Sequence, residues 1–167
     1  LRNVGVNPTR TGIIDVLQDM GASIELLNVR TSGGEAAADI KITSSSLHGI
    51  SFGAEIMPRL IDEIPVIAVA ALFADGDTII TGAGELRVKE TDRLQAITDQ
   101  FNKLAPGAVE GTADGLVIHG GRKIQSAAAF SYDDHRIAMS LAILGAAGAG
   151  VSIENPDCVN ISYPTFY

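Results

Sequence analysis

The sequence contains no tryptophan and a single cysteine, and aromatic residues make up only 5% of its 167 positions. The lone Cys158 excludes an internal disulfide and fits a reducing compartment. No basic residue stands beside it in sequence, so it reads as a packed thiol rather than a reactive one. Positive charge is scarce too: 12 Lys and Arg stand against 20 Asp and Glu, a net charge of −8. A nucleic-acid surface needs a basic stripe, which excludes that class; a small anion can still be held where a few cations converge. The longest apolar run without glycine, Ile64 to Ala74, is far short of the roughly 20 residues of a membrane-spanning helix. Walker and dinucleotide glycine motifs are missing. His48, His119 and His135 are scattered with no cysteine pattern around them, and so spell no metal site. Leu1-Arg2-Asn3-Val4-Gly5 shows neither an initiator methionine nor a signal-peptide pattern, and Ser162 to Tyr167 stop where a helix is expected to open. Both ends therefore read as cut, and a cytoplasmic location is the expectation.

What is present is a globular composition: 46% hydrophobic residues, 19% charged residues and 18 glycines, enough for one domain with small-residue packing and many tight turns. The run from Ile64 to Ala74 follows Asp62-Glu63. Seventy-two positions on, Arg136 to Ala146 follows Asp134-His135. Each run has an acidic cap before it and a short strand after it, Asp77 to Ile80 and Val151 to Glu154. Asn7-Pro8-Thr9-Arg10 opens a helix to about Gly21, and Lys89-Glu90-Thr91-Asp92-Arg93 opens one to about Leu104, both amphipathic at helical spacing. Strand pairs follow these helices: Ser23 to Val29 with Ile40 to Thr43, and Ala108 to Glu110 with Leu116 to His119. Gly33-Gly34 and Gly120-Gly121 read as hairpin turns, and Ser44-Ser45-Ser46 as a turn. The unit is βαβαββ, repeated with a period of about 75 residues. Ala138 to Leu144 offers no polar face, so such a helix must be wrapped on all sides. Helices inside and sheets outside follow, an inside-out α/β arrangement; a parallel sandwich with the amphipathic helices outside is the other architecture left open.

Two charged segments stand directly before helices. In Glu85 to Leu94, six of ten residues are charged. A helix start binds anions through its free N–H groups, and Lys89 and Arg93, four apart, would share one helix face. The other reading is a solvated helix start in which Glu90 and Asp92 complement the dipole and pair with Arg93. In Ser131 to Arg136, burial of the apolar helix draws charge against the body of the protein, so Arg136 needs a carboxylate or phosphate partner. An Asp134–Arg136 cap satisfies the same requirement. Asp62-Glu63 occupies the equivalent helix start, where a carboxylate caps the helix or serves as a base on a hydroxyl.

Lys89-Glu90-Thr91-Asp92-Arg93 with Asp134-His135-Arg136 about 40 residues later resembles the two most diagnostic motifs of the 5-enolpyruvylshikimate-3-phosphate synthases. Asn7-Pro8-Thr9-Arg10-Thr11-Gly12, Pro58-Arg59-Leu60-Ile61-Asp62-Glu63 and Ser162-Tyr163-Pro164 fall in the same order, so the resemblance covers essentially all 167 residues. It implies an inside-out α/β barrel of βαβαββ units. This would be the C-terminal half of a two-domain enzyme of the shikimate pathway, which leads to the aromatic amino acids. The implied reaction transfers the enolpyruvyl group of phosphoenolpyruvate to the 5-hydroxyl of shikimate 3-phosphate and releases phosphate, with no cofactor and with no nucleic acid or membrane as partner. The resemblance assigns Asp62 as a candidate base and Glu90 as the group exchanging a proton with the methylene carbon. Arg93 and Arg136 match the pair that grips the phosphoenolpyruvate carboxylate, Lys89 a lysine on the shikimate moiety, Glu85 a substrate-contacting position that is often Asn, and His135 an orienting residue. One departure is plain: Asp157 to Ser162 contains no lysine, where many members carry one that contacts phosphoenolpyruvate. Two other readings remain, a UDP-N-acetylglucosamine enolpyruvyl transferase, which shares the fold, and an isolated binding or folding module without turnover.

Overall fold

The computed structural model describes residues 1–167, the side chain of Ser32 excepted. The chain opens with β1 (Val4–Gly5), a 3-10 turn over Pro8–Arg10 and α1 (Gly12–Asp19). A hairpin of β2 (Ser23–Ser32) and β3 (Glu35–Thr43) follows, then β4 (Ser51–Phe52), α2 (Ile64–Leu72) and β5 (Asp77–Ile80). The same sequence of elements returns as α3 (Arg93–Leu104), β6 (Val109–Gly111), β7 (Leu116–His119), β8 (Ala127–Phe130), α4 (His135–Ala147) and β9 (Val151–Glu154), and a 3-10 turn over Pro156–Ile161 ends the ordered elements.

Three sheets repeat one plan. The middle one runs β4-β5-β7-β6, and the first, β1-β3-β2, matches its last three strands in order. The third, β8-β9, matches its first two. In both β4·β5 and β8·β9 the strands are parallel, with α2 and α4 as the crossovers. The unit β4-α2-β5-α3-β6-β7 is thus one complete βαβαββ. The sequence reading had the rest of the order but not the short strands before the buried helices.

Why the layers are arranged this way follows from α2. Seven of its nine residues are buried, among them Ile64, Ile67, Ala68 and Leu72, and no polar stripe allows it to face water. The main core joins α2 to Leu94, Ile97, Phe101 and Leu104 of α3, to Ile137, Leu141 and Leu144 of α4, and to the inward residues Ile80, Leu116 and Ile118 of the middle sheet. A smaller cluster, Val6, Ile24, Ala38 and Ile40, pairs the first sheet with α1. Two expectations are corrected. α4 is not wrapped on all sides, since Ile143 is 40% exposed and Met139 borders an open groove. Gly120-Gly121 is not a hairpin turn; it carries the chain over the end of α2, where a Cβ on Gly120 would meet the carbonyl oxygens of Ala71, Ala74 and Gly76. Gly33-Gly34 does form the β2–β3 turn, at φ 62° and 88°. Cys158 is buried beside Ala138, Val159 and Phe166, as a packed thiol.

Outside the core, Asp77, His119 and Glu110 join across β5, β7 and β6, with His119 Nδ1 2.9 Å from Asp77 and Nε2 3.2 Å from Glu110. On the opposite face, Thr78 is fully buried and its hydroxyl has no partner among the described residues. An unpaired buried hydroxyl costs about 1–3 kcal/mol. Thr78→Val, which keeps the shape and removes the hydroxyl, is therefore expected to stabilise the chain by about 1 kcal/mol, measured from the urea midpoint at unchanged slope.

Candidate functional site

The starts of α2, α3 and α4 converge, and a single side chain ties them. Asp92 caps α3, its carboxylate accepting from Gln95 N at 3.0 Å. Asp134 caps α4, accepting from Arg136 N at 2.9 Å and Ile137 N at 3.3 Å. Arg93 opens α3 at 1% exposure. Its Nε donates to Asp134 Oδ2 at 2.8 Å, its Nη1 to Asp62 Oδ1 at 3.1 Å and its Nη2 to Glu90 Oε2 at 2.6 Å. Asp134 is fully buried beside it. A buried guanidinium without anions would be prohibitively costly, and here three carboxylates from three segments surround it.

Arg136, at the first turn of α4, reaches the same carboxylate from the other side. Its Nη2 lies 3.5 Å from Asp62 Oδ2, and its Nη1 donates to the Asp62 carbonyl at 3.3 Å. Asp62 thus sits between two arginines. The partner of Arg136 is therefore Asp62, while Asp134 caps α4 through backbone N–H groups and spends its remaining capacity on Arg93. Glu90, Asp62, Arg93 and Arg136 form one cluster. Lys89 and Glu85 form a separate pair at its edge, Nζ to Oε1 2.6 Å. The expectation that Lys89 and Arg93 share a helix face fails because α3 begins only at Arg93, leaving Lys89 in the bend before it. His135 is buried at the first position of α4.

Beside the cluster a groove of about 240 Å³ opens between α2 and α4, with Asp62, Glu63 and Arg136 at its polar end and Val66, Met139 and Phe166 along its wall. Burial raises the pKa of Glu63 above its ordinary value of 4.5; Asp62 adds to the rise, and Arg136 and Arg10 oppose it. The sequence reading gave Glu63 no role of its own and did not pair Asp134 with Arg93. Forty-one residues separate that pair, and no local pattern joins them.

The family model for EPSP synthase (3-phosphoshikimate 1-carboxyvinyltransferase) matches residues 1–167. The chain belongs to the EPSP synthase family. It is 52% identical over 168 aligned positions to a 3-phosphoshikimate 1-carboxyvinyltransferase of Thermoanaerobacter sp. (strain X514), covering 100% of this chain and 40% of that protein. With the enzyme of Synechococcus sp. (strain WH7803) it shares 51%, covering 38% of it. Among solved structures, an EPSP synthase from Acinetobacter baumannii superposes with a TM-score of 0.93 at 42% identity, over 99% of this chain and 39% of that one. The enolpyruvyl transferase NikO of Streptomyces tendae shares the fold at a TM-score of 0.60 and 19% identity, over 92% of this chain and 33% of that one. The chain spans about 40% of the length of the curated relatives it matches.

Two outcomes follow from the geometry. Asp134→Ala leaves Arg93 short of its deepest counter-ion and α4 uncapped, and is expected to destabilise the chain by about 3–5 kcal/mol in urea unfolding. Glu63 has a folded pKa raised above its unfolded one, so its contribution to stability is fully present below 4.5 and is lost as pH rises through the folded value. Unfolding free energies measured from pH 4.5 upward should fall less steeply in Glu63→Gln than in the native chain.

Proposed function

We propose that residues 1–167 are the C-terminal half of a two-domain enolpyruvyl transferase and that the Arg93–Asp62–Arg136 cluster forms one wall of its active site. In this reading the whole enzyme transfers the enolpyruvyl group of phosphoenolpyruvate to the 5-hydroxyl of shikimate 3-phosphate and releases phosphate. The observation that carries it is the convergence of two arginines on one carboxylate at three helix starts, in a chain whose full length matches this family.

The chemistry asks for anion binding and for two proton movements. Arg93 and Arg136 present guanidinium forks suited to a carboxylate. Both are already paired, so the phosphoenolpyruvate carboxylate takes the place of Glu90 or Asp62 rather than entering empty space. Asp62 accepts the proton of the attacking hydroxyl, and Glu90 exchanges a proton with the methylene carbon. The new C–O bond forms at the carbon that bears the phosphate, and phosphate departs when the methyl group returns a proton. Positive charge developing at that carbon is favoured by the carboxylates around it. Lys89 and Glu85 face the shikimate moiety, and His135 orients the start of α4. The turn Pro156–Ile161 contains no lysine, so a phosphate contact there comes from elsewhere. A half-site cannot exclude water, and the chain alone binds without turnover. The partner is the other domain of the same enzyme, and the cytoplasm is the compartment this reading implies.

The test has two arms. NMR titration of the chain with phosphoenolpyruvate and with shikimate 3-phosphate should shift Asp62, Lys89 to Arg93 and Arg136; shifts confined to other residues would sink the site assignment. Phosphate release should be absent for the chain alone and present when it replaces the matching segment of the Thermoanaerobacter relative. Turnover by the chain alone would overturn the half-site reading.

A further inference from the structure

Lys89 and Glu90 stand on a stretch with no regular structure of its own. It leaves a 3-10 turn over Gly84–Val88 and ends at Asp92, the cap of α3. Leu86 and Arg93 are buried at its two ends, whereas Val88 is 80% exposed and gives the stretch no apolar anchor. One side chain spans it. Arg87 Nη1 donates to Asp92 Oδ2 at 2.7 Å, closing the bend across Lys89 and Glu90. Its Nε donates to the Ala113 carbonyl at 2.9 Å and its Nη2 to the Thr112 carbonyl at 2.6 Å. Those carbonyls belong to the β6–β7 turn, which is latched to the preceding segment twice more, by Gly82 N to Asp114 Oδ2 at 3.0 Å and Ala83 N to Asp114 O at 2.7 Å. Asp92 uses its other oxygen to cap α3. The guanidinium is thus a three-way staple between a sheet turn, the bend and the helix start.

We propose that Arg87 is a positioning residue for the transfer: by fixing both ends of the bend to the middle sheet it holds Glu90 where the reaction needs it. The proposal rests on the assignment of Glu90 as the proton-exchanging group. Arg87 touches neither Glu90 nor the arginine cluster in the hydrogen-bond network, and acts on them only through the backbone. Lysine cannot replace it, because a point charge cannot meet two carbonyls and a carboxylate in one plane.

In the two-domain enzyme, Arg87→Ala should lower kcat about 100-fold, the loss expected of a misplacement near 1 Å, with KM for phosphoenolpyruvate changed less than about threefold. Arg87→Lys should stay closer to Arg87→Ala than to the native enzyme, and added guanidinium ion should restore part of the kcat of Arg87→Ala. The deciding measurement is a double-mutant cycle with Glu90→Gln, where Arg87→Ala should cost less than about threefold because the group it positions is already gone. If the full loss recurs in that background, the staple does not act through Glu90; the proposal fails while the assignment of Glu90 stands. If Glu90→Gln alone leaves kcat unchanged, that assignment fails and the proposal falls with it. The thermal midpoint of Arg87→Ala separates these outcomes from simple unfolding. The side chain is 34% exposed, so the variant should remain folded, with faster motion confined to residues 88–91 in NMR relaxation.

Discussion

Arg93 is the point on which the arrangement of the helices depends. A guanidinium at 1% exposure needs compensation at every donor direction, and its planar fork dictates where the compensating groups stand. Asp134 meets it from the cap of α4, Asp62 from the segment before α2, and Glu90 from the bend before α3. Three helix starts are thereby registered against one another by ionic geometry, where apolar packing alone would tolerate sliding. Asp134 does double duty, since the carboxylate that neutralises Arg93 also satisfies the free N–H groups of α4. Capping and ion pairing are one interaction here, so the start of α4 cannot fray without exposing the arginine.

That registry matters because the body of the fold provides little of it. α2 is apolar on nearly every side and α4 on most, so the apolar pattern of each helix alone does not set its rotation about its axis. The sheets hold them by close approach, as where Gly120 passes against the carbonyls at the end of α2. On the outer face of the middle sheet, Asp77, Glu110 and His119 bridge three strands. Order at the helix starts comes from charge, and order elsewhere from shape.

The repeat was legible because its strongest element is a helix without a polar face, and the sequence can state that without context. The strands before α2 and α4 were not. Ser51–Phe52 is two residues long, and Ala127–Phe130 is mostly alanine, so neither carries the β-branched alternation that marks a strand. The long hairpin was read short chiefly on its second strand, where Glu35-Ala36-Ala37-Ala38-Asp39 carries no β-branched alternation. At the site, charge before an apolar run identified Asp62, Arg93 and Arg136 correctly as neighbours of helix starts. What local pattern could not supply was pairing. Arg93 with Asp134, and Arg87 with the carbonyls of the β6–β7 turn, join residues brought together only by the fold.

Pairing also bears on how a chain with a net charge of −8 would carry the proposed site for anions. Each cation at the helix starts already has a carboxylate: Arg93 has Glu90 and Asp62, Arg136 has Asp62, and Lys89 has Glu85. In the proposed reaction, an incoming carboxylate or phosphate exchanges with one of these acids, so the net electrostatic gain is smaller than the bare attraction of two arginines suggests. Selectivity then resides in which exchange fits. Asp134 is fully buried and committed to the helix cap, so it stays, while Glu90, with a side chain 48% exposed, is the freest of the acids on Arg93. A ligand that displaces Glu90 from Arg93 releases it at the mouth of the cluster, beside the carbon it is proposed to serve. On that proposal, substrate binding and placement of the proton carrier would be a single event, and the bend held by Arg87 would set how far Glu90 travels.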